Sequence, residues 1–179
     1  MVVPEEFPVG LDADWQAPGS VKIDCPYLKN WLLDTGSLTE RLQSLCRHFE
    51  LKLIGQKKQP LHTSEANWLN SSVPGEYQVR EVVLMGDGAP WVFARSVIPE
   101  ALIQSELGGL GCQPLGQRLF NDPRFRRGGF EVCRIPAQQW LNTQQPETLW
   151  GRRSRFYFDN LSMIVAEVFL PAAPVYNQE

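Results

Sequence analysis

The stretch Met-Ile-Val-Ala-Glu-Val-Phe-Leu at residues 163–170 is predicted to be a strand with two apolar faces. A period of two residues places Glu167 on the face of Met163, Val165 and Phe169. Since both faces are otherwise apolar, we expect the strand to be covered on both sides. A carboxylate is costly there unless it is paired, hydrogen-bonded or protonated. Glu167 is therefore a candidate for an ion pair or for a ligand site.

Other strands precede this stretch, and tight turns separate them. The turn Gly-Asp-Gly-Ala-Pro at 86–90 is a strong hairpin signal, and Asp159-Asn160 turns directly into the last strand. Strands are predicted at residues 50–55, 77–85, 91–98, 130–135, 150–158 and 162–170. Because successive hairpins imply antiparallel pairing, we predict an α+β fold in one domain, with an antiparallel sheet of about six strands and helices between them.

Helices are predicted at four places. The first covers residues 28–33, the second starts in the capping box Ser-Leu-Thr-Glu at 37–40 and continues to Phe49, and the others cover 99–107 and 114–120. Residues 56–74 are expected to form a polar loop. Residues 1–26 contain four prolines and are predicted to be an irregular lead-in to a domain at 27–179.

The composition excludes several classes of protein. A net charge of −3 and a pI of about 5.5 argue against a general nucleic-acid binder. The N-terminal residues lack the pattern of a secretory signal, and no apolar stretch is long enough to span a bilayer. The four cysteines are scattered and only two histidines accompany them, which argues against structural zinc. We therefore expect a cytoplasmic protein with free thiols. We also expect a monomer.

Like Glu167, two arginines are charged residues on otherwise apolar strand faces. Arg80 shares a strand face with Val82 and Leu84, and Arg95 also lies among apolar residues. Arginine suits the binding of a carboxylate because its planar fork offers two parallel donors. Arg80 could instead pair with Glu167 across the sheet. A buried ion pair is a poor source of stability, which favours a ligand site slightly.

The segment Gly-Arg-Arg-Ser-Arg at 151–155 is the densest basic cluster. Alternation sends Arg153 and Arg155 to one face and Arg152 to the other. These arginines could attract an anionic substrate, or they could belong to a solvated sheet edge, where charges prevent unwanted strand pairing. The segment Pro-Leu-Gly at 114–116 opens a helix whose free N–H groups could receive a carboxylate.

Around these residues the chain resembles the chorismate pyruvate-lyase family. The similarity runs in order from about residue 28 to residue 176, and several separate motifs carry it. The motifs are Arg-Glu-Val-Val-Leu (80–84), Asp-Gly-Ala-Pro-Trp (87–91), Ala-Arg-Ser-Val-Ile-Pro (94–99), Pro-Leu-Gly (114–116), Leu-Trp-Gly-Arg-Arg-Ser-Arg (149–155) and Glu-Val-Phe-Leu-Pro-Ala (167–172).

The resemblance implies an enzyme that converts chorismate to 4-hydroxybenzoate and pyruvate without a cofactor, in the first committed step of ubiquinone synthesis. It also implies an internal site closed by helical flaps. Arg80 matches the family arginine that binds the ring carboxylate, and Glu167 matches the glutamate that meets the ring hydroxyl. Leu38 and Leu115 match flap positions that touch the ring compound. For the second carboxylate of chorismate, in the enolpyruvyl group, we expect Arg155 or Arg153.

A binding module is the alternative. Effector-sensing domains of some bacterial transcription regulators are similar in fold to chorismate lyase and bind small acids without converting them. Regulators of that kind carry a winged helix-turn-helix, for which the sequence before residue 77 offers no basic recognition helix. A carrier that retains 4-hydroxybenzoate for a downstream enzyme is a further possibility.

Overall fold

Six antiparallel strands form one sheet in this computed structural model, which describes residues 6–69, 76–137 and 148–177. The strand order is β1-β2-β3-β6-β5-β4. The strands are β1 (Phe49–Lys58), β2 (Tyr77–Gly86), β3 (Ala89–Pro99), β4 (Arg126–Pro136), β5 (Thr148–Phe158) and β6 (Leu161–Phe169). The predicted α+β fold with a six-stranded antiparallel sheet is thus confirmed.

The strands pair through tight turns where the sequence predicts them. Asp87 and Gly88 both have positive φ, 48° and 81°, as a two-residue hairpin between right-twisted strands requires. The Asp87 carboxylate also accepts the N–H groups of Arg47 and His48, which fixes the start of β1 beside this turn. Asp159, at the turn between β5 and β6, likewise has a positive φ of 50°.

Five short α-helices of the described part of the chain connect and cover the strands. They are α1 (Pro26–Leu32), α2 (Leu38–Gln43), α3 (Thr63–Leu69), α4 (Glu100–Ser105) and α5 (Leu115–Phe120). The Ser37 hydroxyl accepts the N–H of Glu40, as the capping box predicts. The predicted continuation of α2 to Phe49 is wrong, because Phe49 begins β1. Helix α3 lies in the predicted polar loop, which is the second difference from the sequence prediction.

Apolar side chains cover both faces of the sheet. On one face, α1 and α2 pack on β2, β3 and the end of β6, while α4 and α5 pack near β5 and the start of β6. On the other face, the chain around Leu11 and helix α3 cover the sheet. The expectation that residues 163–170 are covered on both sides is therefore confirmed. The strand that carries Glu167 lies between the two covering layers.

The second face contains a buried ion-pair network centred on Arg95. Its guanidinium donates to Glu65 of α3 at 2.6 and 3.2 Å and to Glu81 of β2 at 2.8 Å. Glu81 also accepts the N–H groups of Val9 and Gly10. The network thus joins two strands, α3 and the N-terminal segment, and it accounts for Arg95 without a ligand.

We expect Arg95→Met to lower the free energy of unfolding by about 3 kcal/mol, because the carboxylates of Glu65 and Glu81 would stay buried without their cation. Urea unfolding followed by tryptophan fluorescence measures the change. Lys22→Met is the control, since the Lys22–Asp24 pair is exposed and should contribute nothing measurable. An equal effect of both substitutions would contradict a structural role for the network.

Candidate functional site

A cavity lies between the first face of the sheet and helices α2 and α5, which contact each other. Its volume is about 930 Å³ including its open mouth. Most of its lining is apolar, and among the described residues the charged lining side chains are Arg80, Arg127 and Glu167. The remaining lining residues are Thr35, Ser37, Leu38, Thr39, Leu51, Val82, Leu84, Ala94, Ser96, Pro114, Leu115, Gly116, Leu119, Phe120, Phe125, Phe156 and Val165.

Arg80 projects from β2 towards one end of this cavity. It is 2% exposed and donates to the Gln56 side chain at 3.1 Å and to the carbonyl oxygens of Gly111 and Gln113 at 2.9 and 3.0 Å. All three acceptors are neutral, and no carboxylate of the described residues pairs with Arg80. Burial lowers the pKa of this guanidinium from its usual range. Within the described ranges, Arg80 is therefore a buried cation without a counter-ion.

Glu167 lies on β6 and pairs with Arg152, its direct neighbour on β5. The Arg152 Nε donates to Glu167 Oε2 at 2.7 Å. No donor among the described residues reaches the other oxygen, Oε1. The predicted alternative of a direct Arg80–Glu167 ion pair is therefore wrong, and the partner of Glu167 is a residue of the basic cluster.

Arg152 also binds the turn that leads into α2. Its NH1 group donates to the carbonyl oxygens of Trp31 at 3.2 Å and Asp34 at 2.8 Å, at and just after the end of α1. A cation is favourable there because carbonyl groups at a helix C-terminus lack intrahelical donors. Arg152 thus fixes the position of the Glu167 carboxylate relative to the turn before α2, which is one of the helices that cover the cavity.

The strand register sets the separation of Arg80 and Glu167. Val82, two residues after Arg80, faces Ala94 of β3, which faces Glu167 of β6. Two strand spacings and two residues along the strand place the two Cα atoms about 12 Å apart. The side chains therefore enter the same cavity from separate places on its floor.

Leu38 and Leu115 are the first residues of α2 and α5, and both line the cavity. Both are buried, at 7% and 6% exposed. The N-termini of the two helices face each other, since a Cβ at Gly116 would lie 3.8 Å from the Thr39 hydroxyl. The family resemblance implies flap residues at these two positions, and both residues line the cavity.

Arg153 and Arg155 lie on the opposite face of the sheet. Arg153 pairs with Glu131 at 2.7 Å, and Arg155 donates to the Trp68 carbonyl oxygen at 2.6 Å. Neither lines the cavity, because alternation along β5 directs them away from the face of Arg152. The structure therefore does not support either residue as the cation for a second carboxylate. The sheet-edge interpretation is also wrong, since β5 lies between β6 and β4.

Arg127 is the charged residue of the cavity lining, among those described, that sequence reasoning missed. Strand β4 begins at Arg126, four residues before the predicted start, and its register shifts between Arg127 and Phe130. This bulge brings Arg127 to the same face as Phe130, whereas strict alternation would place them on opposite faces. The glycine pair at 128–129 within an arginine-rich segment was the available signal.

A family model for chorismate lyase matches residues 11–179. The chain belongs to the chorismate lyase family. It is 44% identical to a "Probable chorismate pyruvate-lyase" of Pseudoalteromonas atlantica, over 96% of this chain and 93% of that one. It is 46% identical to the protein of the same name from Pseudomonas putida, over 84% and 83% of the two chains.

Solved structures of other proteins are similar to this chorismate lyase family member in fold alone. The C-terminal domain of the histidine utilization repressor from Pseudomonas syringae matches with a TM-score of 0.54 and 12% identity, over 74% of this chain and 96% of that one. A GntR-family regulator from Bacillus cereus matches with a TM-score of 0.53 and 16% identity, over 73% and 96%. At these identities the likeness shows a shared fold only.

The described residues offer no alternative centre for a metal. Within the three described ranges, no group of three or more His, Cys, Asp or Glu side chains is placed to hold an ion. No disulfide joins the four cysteines, which all lie in the described ranges, and burial raises the pKa of the Cys133 thiol to about 12. No helix in those ranges is long and apolar enough to cross a membrane.

Proposed function

We propose that the protein converts chorismate to 4-hydroxybenzoate and pyruvate, the first committed step of ubiquinone synthesis. One observation carries the proposal. One mainly apolar cavity contains a buried arginine and a glutamate at separate places on its floor, and within the described part of the chain the arginine has no counter-ion and one glutamate oxygen has no donor. An aromatic acid with a hydroxyl group opposite its carboxylate matches that pattern, and membership of the family points to chorismate as its source.

Arg80 is proposed to bind the ring carboxylate. The NH2 group of Arg80 already donates to the carbonyl oxygens of Gly111 and Gln113, whereas NH1 donates to Gln56 alone, so a ligand carboxylate would accept from the remaining NH1 hydrogen or from Nε. Such charge-assisted hydrogen bonds are stronger than those to neutral acceptors. The present acceptors of Arg80 leave its charge uncompensated. A bound carboxylate would neutralise it inside an apolar cavity, where an unpaired charge is most costly.

Glu167 is proposed to meet the ring hydroxyl through Oε1. Its other oxygen is held by Arg152, so the carboxylate is oriented before the ligand binds. Leu38 and Leu115 would cover the ring from the side of the helices, partly through backbone groups, and exclude water. Preorganised contacts of this kind favour a reactive conformer and cost little reorganisation during the reaction.

The bond changes are balanced within the substrate. The C3–O bond of chorismate breaks with its electron pair moving to the enolpyruvyl oxygen, and the ring loses the hydrogen at C4 as it becomes aromatic. The released enolpyruvate gains a proton at its CH₂ carbon and becomes pyruvate, so no oxidant, reductant or water is consumed. Glu167 can orient the hydroxyl, stabilise positive charge developing on the ring, or accept the proton.

Incubation of the purified protein with chorismate tests this proposal. We expect pyruvate and 4-hydroxybenzoate to appear in equal amounts, measured by coupled lactate dehydrogenase and by chromatography. Tight binding of 4-hydroxybenzoate with no product formation would contradict the proposal and favour the effector-sensing or carrier alternative. The expectation of a cytoplasmic, cofactor-independent monomer stays a prediction, and sedimentation of the active protein tests its last part.

A further inference from the structure

Chorismate carries two carboxylates, whereas 4-hydroxybenzoate carries one. If Arg80 binds the carboxylate on the ring, the second carboxylate, in the enolpyruvyl group, needs another cation. That group is attached to C3, next to the C4 that carries the hydroxyl. The second cation must therefore lie near Glu167 and on the cavity side of the sheet.

We infer that Arg127 binds the enolpyruvyl carboxylate of the substrate, an inference that rests on the proposed function. Among the described residues, Arg127 is the remaining cation that lines the cavity beside Arg80. No described carboxylate forms an ion pair with it, and its Nε is buried without an acceptor. The unused donor and the uncompensated charge are both features that an incoming carboxylate would satisfy.

The surroundings hold Arg127 in place for this role. Its guanidinium carbon lies 4.9 Å from the ring centroid of Phe156 and 5.1 Å from that of Phe130. Its NH1 group donates to the Thr35 carbonyl oxygen at 3.1 Å, next to the Asp34 carbonyl that Arg152 binds. Arg127 is therefore held by aromatic rings and by the turn before α2, while its buried Nε has no hydrogen-bond acceptor among the described residues.

The ring of Phe130 places Arg127 on the Glu167 side of the cavity, because the guanidinium carbons of Arg127 and Arg152 lie 5.1 and 5.3 Å from its centroid and Arg152 pairs with Glu167. Burial lowers the pKa of Arg127, the positive charge of Arg152 lowers it further, and the negative charges of Glu167 and Asp34 oppose both effects. These charges must be close enough to act on one another. A dianionic substrate would thus meet one cation at the ring end and another beside the reacting ether, and the product would use only the first.

Kinetics and binding together test the assignment. We expect Arg127→Met to raise the KM for chorismate by roughly a hundredfold, the effect of losing a buried charge-assisted contact, while the Kd for 4-hydroxybenzoate changes by less than about threefold. Arg127→Lys should recover part of the loss because it keeps the charge. Arg126→Met is the matched control, since Arg126 is the exposed neighbour on β4 and lies outside the cavity lining; it should change neither value.

Two results would overturn the assignment. Parallel losses of chorismate and 4-hydroxybenzoate affinity in Arg127→Met would show that Arg127 only holds the turn at Thr35, and an unchanged KM would show that it binds no carboxylate. If the wild-type protein does not convert chorismate, the proposed function fails separately. Calorimetric titration of chorismate into the wild type and Arg127→Met would then decide whether Arg127 binds the second carboxylate.

Discussion

Replacing Glu167 with glutamine should reduce kcat for chorismate by roughly a thousandfold while the protein stays folded. Glutamine keeps the size of the side chain but lacks the negative charge and the capacity to accept the ring proton. It also leaves Arg152, which is 1% exposed, without its carboxylate partner. The initial rate of pyruvate release measures the loss, and circular dichroism checks the fold.

Glu131→Gln is the matched control for this experiment. Glu131 pairs with Arg153 at 2.7 Å, as Glu167 pairs with Arg152, but on the face of the sheet away from the cavity. Loss of that pair should leave kcat within about twofold of the wild-type value, as expected for a substitution remote from the chemistry. Equal losses in both variants would mean that the sheet, rather than the Glu167 carboxylate, is responsible. An unchanged kcat in Glu167→Gln would exclude Glu167 from the reaction.

Replacing Arg80 with methionine should weaken the binding of 4-hydroxybenzoate by roughly a thousandfold. The ligand carboxylate would enter an apolar cavity without its cation, and an uncompensated buried charge of that kind costs about 3–5 kcal/mol. The free energy of unfolding should not fall comparably, because Arg80 pairs with no carboxylate of the residues that the structure describes. Fluorescence titration gives the affinity, and urea unfolding gives the stability.

Arg95→Met is the control, for which we expect a loss of stability rather than a loss of ligand affinity. Arg80 and Arg95 are both 2% exposed and lie on neighbouring strands, but Arg95 belongs to the ion-pair network on the other face. Its replacement should lower stability and leave the affinity of the folded protein for 4-hydroxybenzoate unchanged. An Arg80→Met variant that binds the product normally would contradict the role proposed for Arg80.

The sequence was sufficient to predict the sheet and the faces of its buried charges. Alternation along β2 and β6 placed Arg80 and Glu167 on apolar faces, because both residues follow a period of two without interruption. Their partners could not be predicted in this way. Strand order depends on long-range pairing, so the neighbour of Glu167 was unknown until β5 was found beside β6.

Two further misses have local causes. Helix α3 is only seven residues long, which is too short for a clear helical pattern in the sequence. The contact of Glu65 with Arg95, which helps to fix this helix, depends on the tertiary structure. Arg127 was missed because a bulge interrupts the alternation on which face prediction depends. The two charged cavity residues on regular strands were therefore predictable, and the charged one on an irregular strand was not.

A crystal structure of the protein with 4-hydroxybenzoate tests the central claim most directly. The account predicts the ring in the cavity beneath α2 and α5, with its carboxylate within hydrogen-bond distance of the Arg80 guanidinium and its hydroxyl at Oε1 of Glu167. It also predicts that Arg127 makes no contact with the carboxylate of this product. A ring bound outside the cavity, or one turned so that its carboxylate lies at Glu167, would contradict the account.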